Sequence, residues 1–260
     1  MKRTLKHSVS QLRSGRGIHI VPNVLTLLGL LSGLLAIRYG FEDNWHYAVS
    51  FILGAAFLDF FDGYAARSLG GGSRFGGELD SLSDFISFGL APPLLIFLWG
   101  FSSFSYSWFV VSFYVVCAAL RLARFNVSQD DELASPLKVR RYYFRGLLTP
   151  GAAIFCLVPL MVFFHFGSSY AAPSWLIACL LIGCGLLMVS SLPTFSFRGF
   201  RVSASRMVIL LLGLTMFITF LVTWFWLAMI VLVSLYGLSL PVSIFLGLRR
   251  DKEESLPRAL

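Results

Sequence analysis

Apolar runs of about twenty residues follow one another along most of this 260-residue chain, broken only by short basic or glycine-rich segments. A helix needs roughly 20 mostly apolar residues to cross a hydrocarbon layer about 30 Å thick. Backbone polar groups inside lipid must find their partners within the segment, so runs of this kind fold as helices. Candidate spans lie near 21–39, 46–67, 80–100, 106–125, 147–167, 172–191, 207–222 and 224–247. The expected fold is therefore an all-α integral membrane protein with about eight transmembrane helices. The last two spans come from one apolar stretch, 207–247, too long for a single ordinary crossing, which we divide near Thr223 and Trp224. Composition excludes the competing classes. With 57% hydrophobic and 13% charged residues, the chain has about half the charge of a soluble domain, and it is far too apolar to be disordered. Four cysteines inside apolar runs, without a CxxC spacing, read as small core residues and not as a disulfide scaffold.

The net charge of +8 would suggest nucleic acid on a soluble protein, but here its placement argues for lipid headgroups instead. With the N-terminus inside, 20 of the 21 Lys and Arg residues fall on one side of the eight-span arrangement, and Arg38 alone falls on the other. The positive-inside rule then puts both termini in the cytoplasm. The expected organisation is a basic cytoplasmic arm at 1–20, a helical core at 21–200, two further transmembrane helices at 201–248 and a cytoplasmic tail at 249–260. The first apolar run lacks a small-residue cleavage pattern and is expected to be retained.

Four carboxylates stand where the membrane disfavours them. Asp59, Asp62, Asp80 and Asp84 lie in otherwise apolar helices, and a lone aspartate at mid-membrane costs roughly 2.5 to 3.5 kcal/mol. Asp59 and Asp62 are spaced i,i+3, and Asp80 and Asp84 i,i+4, so each pair shares a helix face. The connection from Ser68 to Gly77 holds five glycines, which permits a tight return and sets the two acidic faces against each other. Small residues at Gly54, Ala55, Ala56, Gly63 and Ala66 permit close helix approach. Like charges at a few ångströms oppose one another's ionisation, so cations must compensate. An all-oxygen ligand set suits Mg²⁺, Mn²⁺ or Ca²⁺. Two metals bridged by carboxylates recur where phosphorus is attacked in line.

The whole string reads Asp59-x2-Asp62-Gly63-x2-Ala66-Arg67-x8-Gly76-x3-Asp80-x3-Asp84. It resembles, without a mismatch, the signature of the CDP-alcohol phosphotransferase family, membrane enzymes that transfer a phosphatidyl or phospho-alcohol group from a CDP carrier to a hydroxyl. The resemblance implies that Asp59, Asp62 and Asp80 hold one dication and Asp59, Asp80 and Asp84 a second, Mg²⁺ or Mn²⁺, with Asp84 also taking the acceptor's proton. It further implies that Gly63, Arg67 and Ser73 touch the CDP moiety, and that the protein is a homodimer.

Three further segments resemble the phosphatidylserine synthase branch: Glu78 to Pro92, Pro22 to Thr26, and Leu120 to Val127. The implied reaction joins CDP-diacylglycerol and L-serine into phosphatidylserine and CMP at the cytoplasmic face. Asn23 and Thr26 are candidates for CDP-diacylglycerol contact, beside a plainer reading as helix-start residues. Arg121 and Arg124, i,i+3 at a helix end, are candidates for the serine carboxylate, beside a reading as interfacial anchors. The branch usually carries Gly-Leu-Pro-x-Pro after the central loop, whereas this chain has Gly146-Leu147-Leu148-Thr149-Pro150. Two alternatives stay open: a sister transferase using choline, glycerol phosphate or inositol phosphate, and a cation or proton transporter using the acids as a relay.

Overall fold

The computed structural model describes residues 20–69, 73–134, 144–167, 172–190, 193–194, 215–216 and 219–254. The basic arm, most of the expected 207–222 span and the end of the tail lie outside the described residues. By contacts the chain divides into two units, Met1–Ala134 and Ser135–Leu260.

Among the described residues unit one holds four helices: α1 (Ile20–Phe41), α2 (Trp45–Ser68), α3 (Arg74–Phe101) and α4 (Ser107–Ala134). Each contains a stretch long and apolar enough to cross a membrane. Their outward faces carry the large side chains, among them Leu27, Leu31 and Leu34 on α1 and Phe57, Phe60 and Tyr64 on α2, all exposed. A water-soluble protein rarely presents so much contiguous apolar surface. The inward faces are lined with small residues. On α1 the buried positions are Pro22, Thr26, Gly29, Ser32, Gly33, Ala36 and Gly40, a stripe at helical spacing that lets neighbouring backbones come close. A Cβ at Gly33 would sit 2.9 Å from the Cα of Ser87, so only glycine fits this crossing. Serine hydroxyls then tie the helices together: Ser83 donates to the Thr26 carbonyl at 3.2 Å, Ser87 to the Gly29 carbonyl at 3.2 Å, and Ser32 to the Phe51 carbonyl at 2.6 Å.

The turn between α1 and α2 places Asp43 at φ 57°, a left-handed conformation that aspartate tolerates better than most residues. Beside it, Arg38 pairs with Glu42 at 3.0 Å on the exposed surface. The helix α3 starts earlier than the glycine count suggests. Gly76 and Gly77 belong to its first turns and not to the connecting loop, because Ser73 caps the helix by accepting the Gly76 amide at 3.0 Å. Deeper along α3 the backbone widens into π-helical turns at Phe85–Leu90 and Phe97–Phe101. Pro92 cannot donate to the Phe88 carbonyl one turn back, and the buried Tyr114 hydroxyl donates to it instead at 3.4 Å.

Unit two contains α5 (Thr149–Cys156), α6 (Val158–Phe166), α7 (Ser174–Val189) and α8 (Phe225–Glu254). Thr149–Phe166 together has the length and apolarity of a fifth membrane span. To the all-α expectation the structure adds one two-residue antiparallel pairing, β1 (Phe144–Arg145) with β2 (Pro193–Thr194). Leu148, where the branch carries a proline, holds φ −63° and ψ 141°. That φ is the value a proline ring would impose, so the entry into α5 keeps its geometry without one. A bend at Trp224 separates α8 from a preceding helical turn, at the point where the 207–247 stretch is expected to divide. Cys117, Cys156 and Cys184 are buried free thiols as expected, whereas Cys179 is exposed on the apolar α7.

Replacing Gly33 with valine forces α1 away from α3 and should cost about 1 to 3 kcal/mol of stability. Thermal unfolding in detergent checks this. Leu31→Ala on the outward face is the control, expected within about 0.5 kcal/mol of wild type.

Candidate metal and nucleotide site

The acidic site is assembled from three helices of unit one. From α2 come Asp59 and Asp62, one turn apart, and from α3 comes Asp80, while α1 lies against both helices. One carboxylate oxygen from each of Asp59, Asp62 and Asp80 lies within 4.8 Å of the others. Asp62 is 5% exposed, and the other two are half-buried. Asp84 stands one turn further along α3, outside that trio but near enough to Asp59 for the two carboxylates to interact. The i,i+3 and i,i+4 spacings therefore do bring the two acidic faces together, with three acids in a tight group and the fourth at its margin.

The donor set fits a hard dication. Ligand oxygens on opposite sides of a Mg²⁺ or Ca²⁺ ion stand about 4 to 5 Å apart, which matches the spread of the trio. Among the described residues, Arg67 forms no ion pair with Asp59 or Asp62, although its charge reaches both. Among the described residues neither His nor Cys joins the group, so a softer metal has no preferred ligand among them.

α1 reaches the site through two residues. The Thr26 hydroxyl lies 2.8 Å from Asp62 Oδ2 and 3.0 Å from the Pro22 carbonyl. Thr26 is seven residues into α1 and 4% exposed, which corrects the helix-start reading: its hydroxyl works across the helix interface and caps nothing. A hydroxyl donating to one carboxylate oxygen fixes the rotamer of that carboxylate and leaves the other oxygen for a ligand. Asn23 lies over the start of α3, where a Cβ on Gly76 would meet its Oδ1 at 2.8 Å. The motif glycine is thus needed for the α1 side chain to pass.

The remaining motif residues sit at one end of α2 and α3. Arg67 is exposed and folds back along its own helix, so that a Cβ on Gly63 would lie 3.3 Å from Nη1. The close approach at Gly63 is thus made by a guanidinium of the same helix. Ser73 uses a lone pair to cap α3, leaving its hydroxyl hydrogen for another acceptor. The two arginines on α4 differ: the charge of the half-buried Arg121 reaches Asp84, whereas Arg124 is exposed. Sequence reasoning missed the interhelical roles of Ser83 and Ser87. Their spacing of four, three residues after Asp80, carried the signal, because hydroxyls at that interval in an apolar helix point to one neighbour.

A family model described as CDP-alcohol phosphatidyltransferase matches residues 19–189, which include all of these positions. The chain belongs to that family. Among relatives of the CDP-alcohol phosphatidyltransferases, it is 35% identical over 181 residues to a CDP-diacylglycerol–serine O-phosphatidyltransferase of Mycobacterium tuberculosis, covering 70% of this chain and 63% of that protein. Proteins of the same name from Helicobacter pylori and Saccharomyces cerevisiae are 28% identical over 202 residues and 37% identical over 142. The former match covers 76% of this chain and 81% of the relative, the latter 52% and 51%. The chain therefore spans under two thirds of the length of the mycobacterial relative.

If Thr26 orients Asp62, Thr26→Val should keep the helix packing and weaken Mn²⁺ binding roughly tenfold or more, the usual effect of losing a partner of a metal ligand. Titration calorimetry with Mn²⁺ on the purified protein measures it. Thr26→Ser, which keeps the hydroxyl, should stay near wild type.

Proposed function

We propose that this family member transfers the phosphatidyl group of CDP-diacylglycerol to the hydroxyl of L-serine, releasing CMP and phosphatidylserine. The observation that carries the proposal is the convergence of Asp59, Asp62 and Asp80 on one point inside apolar helices, in a chain whose relatives are named for that reaction. In this reading Asp59, Asp62, Asp80 and Asp84 hold two dications, Mg²⁺ or Mn²⁺. Bound there, the ions offset the carboxylate charge and supply Lewis-acid stabilisation to the pyrophosphate oxygens.

The protein's own groups do the rest. Gly63, Arg67, Ser73 and Asn23 flank the CDP end, and Thr26 acts on it only through Asp62: the guanidinium forks onto phosphate oxygens, and the Ser73 hydroxyl and Asn23 amide donate hydrogen bonds. Asp84 accepts the proton of the serine hydroxyl, whose oxygen bonds to the diacylglycerol-side phosphorus as the bond to the CMP oxygen breaks. Donor and acceptor react within one ternary complex, and no covalent enzyme intermediate is needed. Arg121, set toward Asp84, and Arg124 receive the serine carboxylate. The catalytic core is residues 21–200, preceded by the basic arm and followed by two membrane helices and the tail. Eight membrane helices with both termini in the cytoplasm put the site at the inner headgroup layer, and the working unit is a homodimer. The five spans of suitable length among the described residues and the one-sided placement of Lys and Arg support that topology.

Purified protein supplied with CDP-diacylglycerol and Mn²⁺ or Mg²⁺ should release CMP with L-serine and not with choline, glycerol phosphate or inositol phosphate. Chelation should abolish release and added metal restore it. Asp84→Asn should lower kcat by about 10²- to 10⁴-fold and, because Asp84 is also a metal ligand in this reading, should raise the Mn²⁺ concentration needed for turnover. Preferred use of another alcohol, or full turnover by Asp84→Asn, would contradict the assignment.

A further inference from the structure

The antiparallel helices α3 and α4 are tied together at two levels, and Asp84 and Arg121 stand between the ties. At the deeper level the backbones come close: a Cβ on Gly89 would lie 3.1 Å from that of Ala118, and the Tyr114 hydroxyl donates to the Phe88 carbonyl. Eight residues along each helix, about 12 Å away, the second tie is made by one side chain of α4. The Asn126 side-chain oxygen lies 2.8 Å from the Ser81 hydroxyl, whose single hydrogen also faces the Gly77 carbonyl at 3.1 Å. The Asn126 amide nitrogen donates to Glu78 Oε2 at 3.3 Å.

Asn126 thus grips two side chains of α3 that stand three residues apart and share a face. A helix held at one close contact can still pivot and turn about its axis, and a second, two-pronged contact removes both freedoms. The transfer reaction has no direct use for this tie, since Glu78 lies about 120° around α3 from Asp84 at 100° per residue. Arg121 is the group that needs it. This side chain is half-buried, its Nε is shut off from solvent, and its charge reaches Asp84. A guanidinium forks onto a carboxylate only in a defined plane. Arg121 is carried by α4, whereas the acids belong to α2 and α3, so its distance from the reacting atoms is set by how α4 sits on α3.

We infer that Asn126 is a positioning residue: by holding Ser81 and Glu78 it fixes the rotation of α4 at which Arg121 meets the carboxylate of the acceptor. The inference rests on the serine reading given above and places the control of acceptor affinity on a residue outside the site.

Steady-state kinetics of the purified full chain with CDP-diacylglycerol, Mn²⁺ and L-serine test it. Asn126→Ala should raise KM for serine about tenfold, the worth of one charge-assisted hydrogen bond. KM for CDP-diacylglycerol and Mn²⁺ binding should stay near wild type, which a general loosening of the fold would not allow. In an Arg121→Ala background the same change should add little, because its effect passes through Arg121. Asn126→Asp sets a carboxylate against Glu78 and should also raise KM for serine. Adding Glu78→Gln exchanges donor and acceptor across the same contact and should bring KM back, and this exchange decides the matter if Asn126→Ala loses Mn²⁺ binding. An unchanged KM for serine in Asn126→Ala, an equal rise in both KM values, a full additional effect in the Arg121→Ala background, or no rescue by the exchange overturns the inference and leaves the serine assignment standing. A wild-type enzyme that uses another alcohol in place of serine overturns both.

Discussion

Everything in unit one depends on carboxylates held in helices that lipid surrounds. An ionised aspartate in hydrocarbon is tolerated only with a compensating charge or a polar enclosure, and the fold supplies the enclosure by turning the usual distribution inside out. Large apolar side chains face outward, and the inward faces are built from glycine, alanine, serine and threonine. Because Gly33 admits the backbone of α3, three helices come close enough for their polar groups to meet. The tight packing of small residues and the acidic site are therefore one feature: without the first, Thr26 could not reach Asp62, and Asp80 could not join Asp59.

The same enclosure explains why α1 matters although it contributes no acid. It binds the motif helices at several levels, through Asn23 over Gly76, Thr26 on Asp62, and carbonyls that accept from Ser83 and Ser87. These are weak bonds individually, each about 1 kcal/mol net, but together they fix the rotation of α2 and α3 about their axes. For a cluster of ligands that must converge within a few ångströms, rotation is the variable that counts. The π-helical turns beyond Asp84 act in the same sense, because each changes the facing of every residue that follows.

Much of this was legible in the sequence. Apolar run length gave the spans of α1 to α4, and acid spacing gave a shared face, because both follow from helix geometry alone. The glycine-rich connection was read less well: Gly76 and Gly77 look like loop residues until Ser73 is seen capping the helix. The partnership of Thr26 with Asp62, 36 residues apart, has no local signature, since it depends on how two helices are rotated against each other. The expected proline at Leu148 proved dispensable to the backbone, because its φ is one that other residues also adopt.

The central claim is that a dication sits among Asp59, Asp62 and Asp80. Anomalous diffraction from crystals grown with Mn²⁺ tests it most directly. The account predicts an anomalous peak bonded to oxygens of all three carboxylates, at about 2.0 to 2.3 Å. A difference map with no peak there, and with the three side chains bonded instead to protein cations, would contradict it.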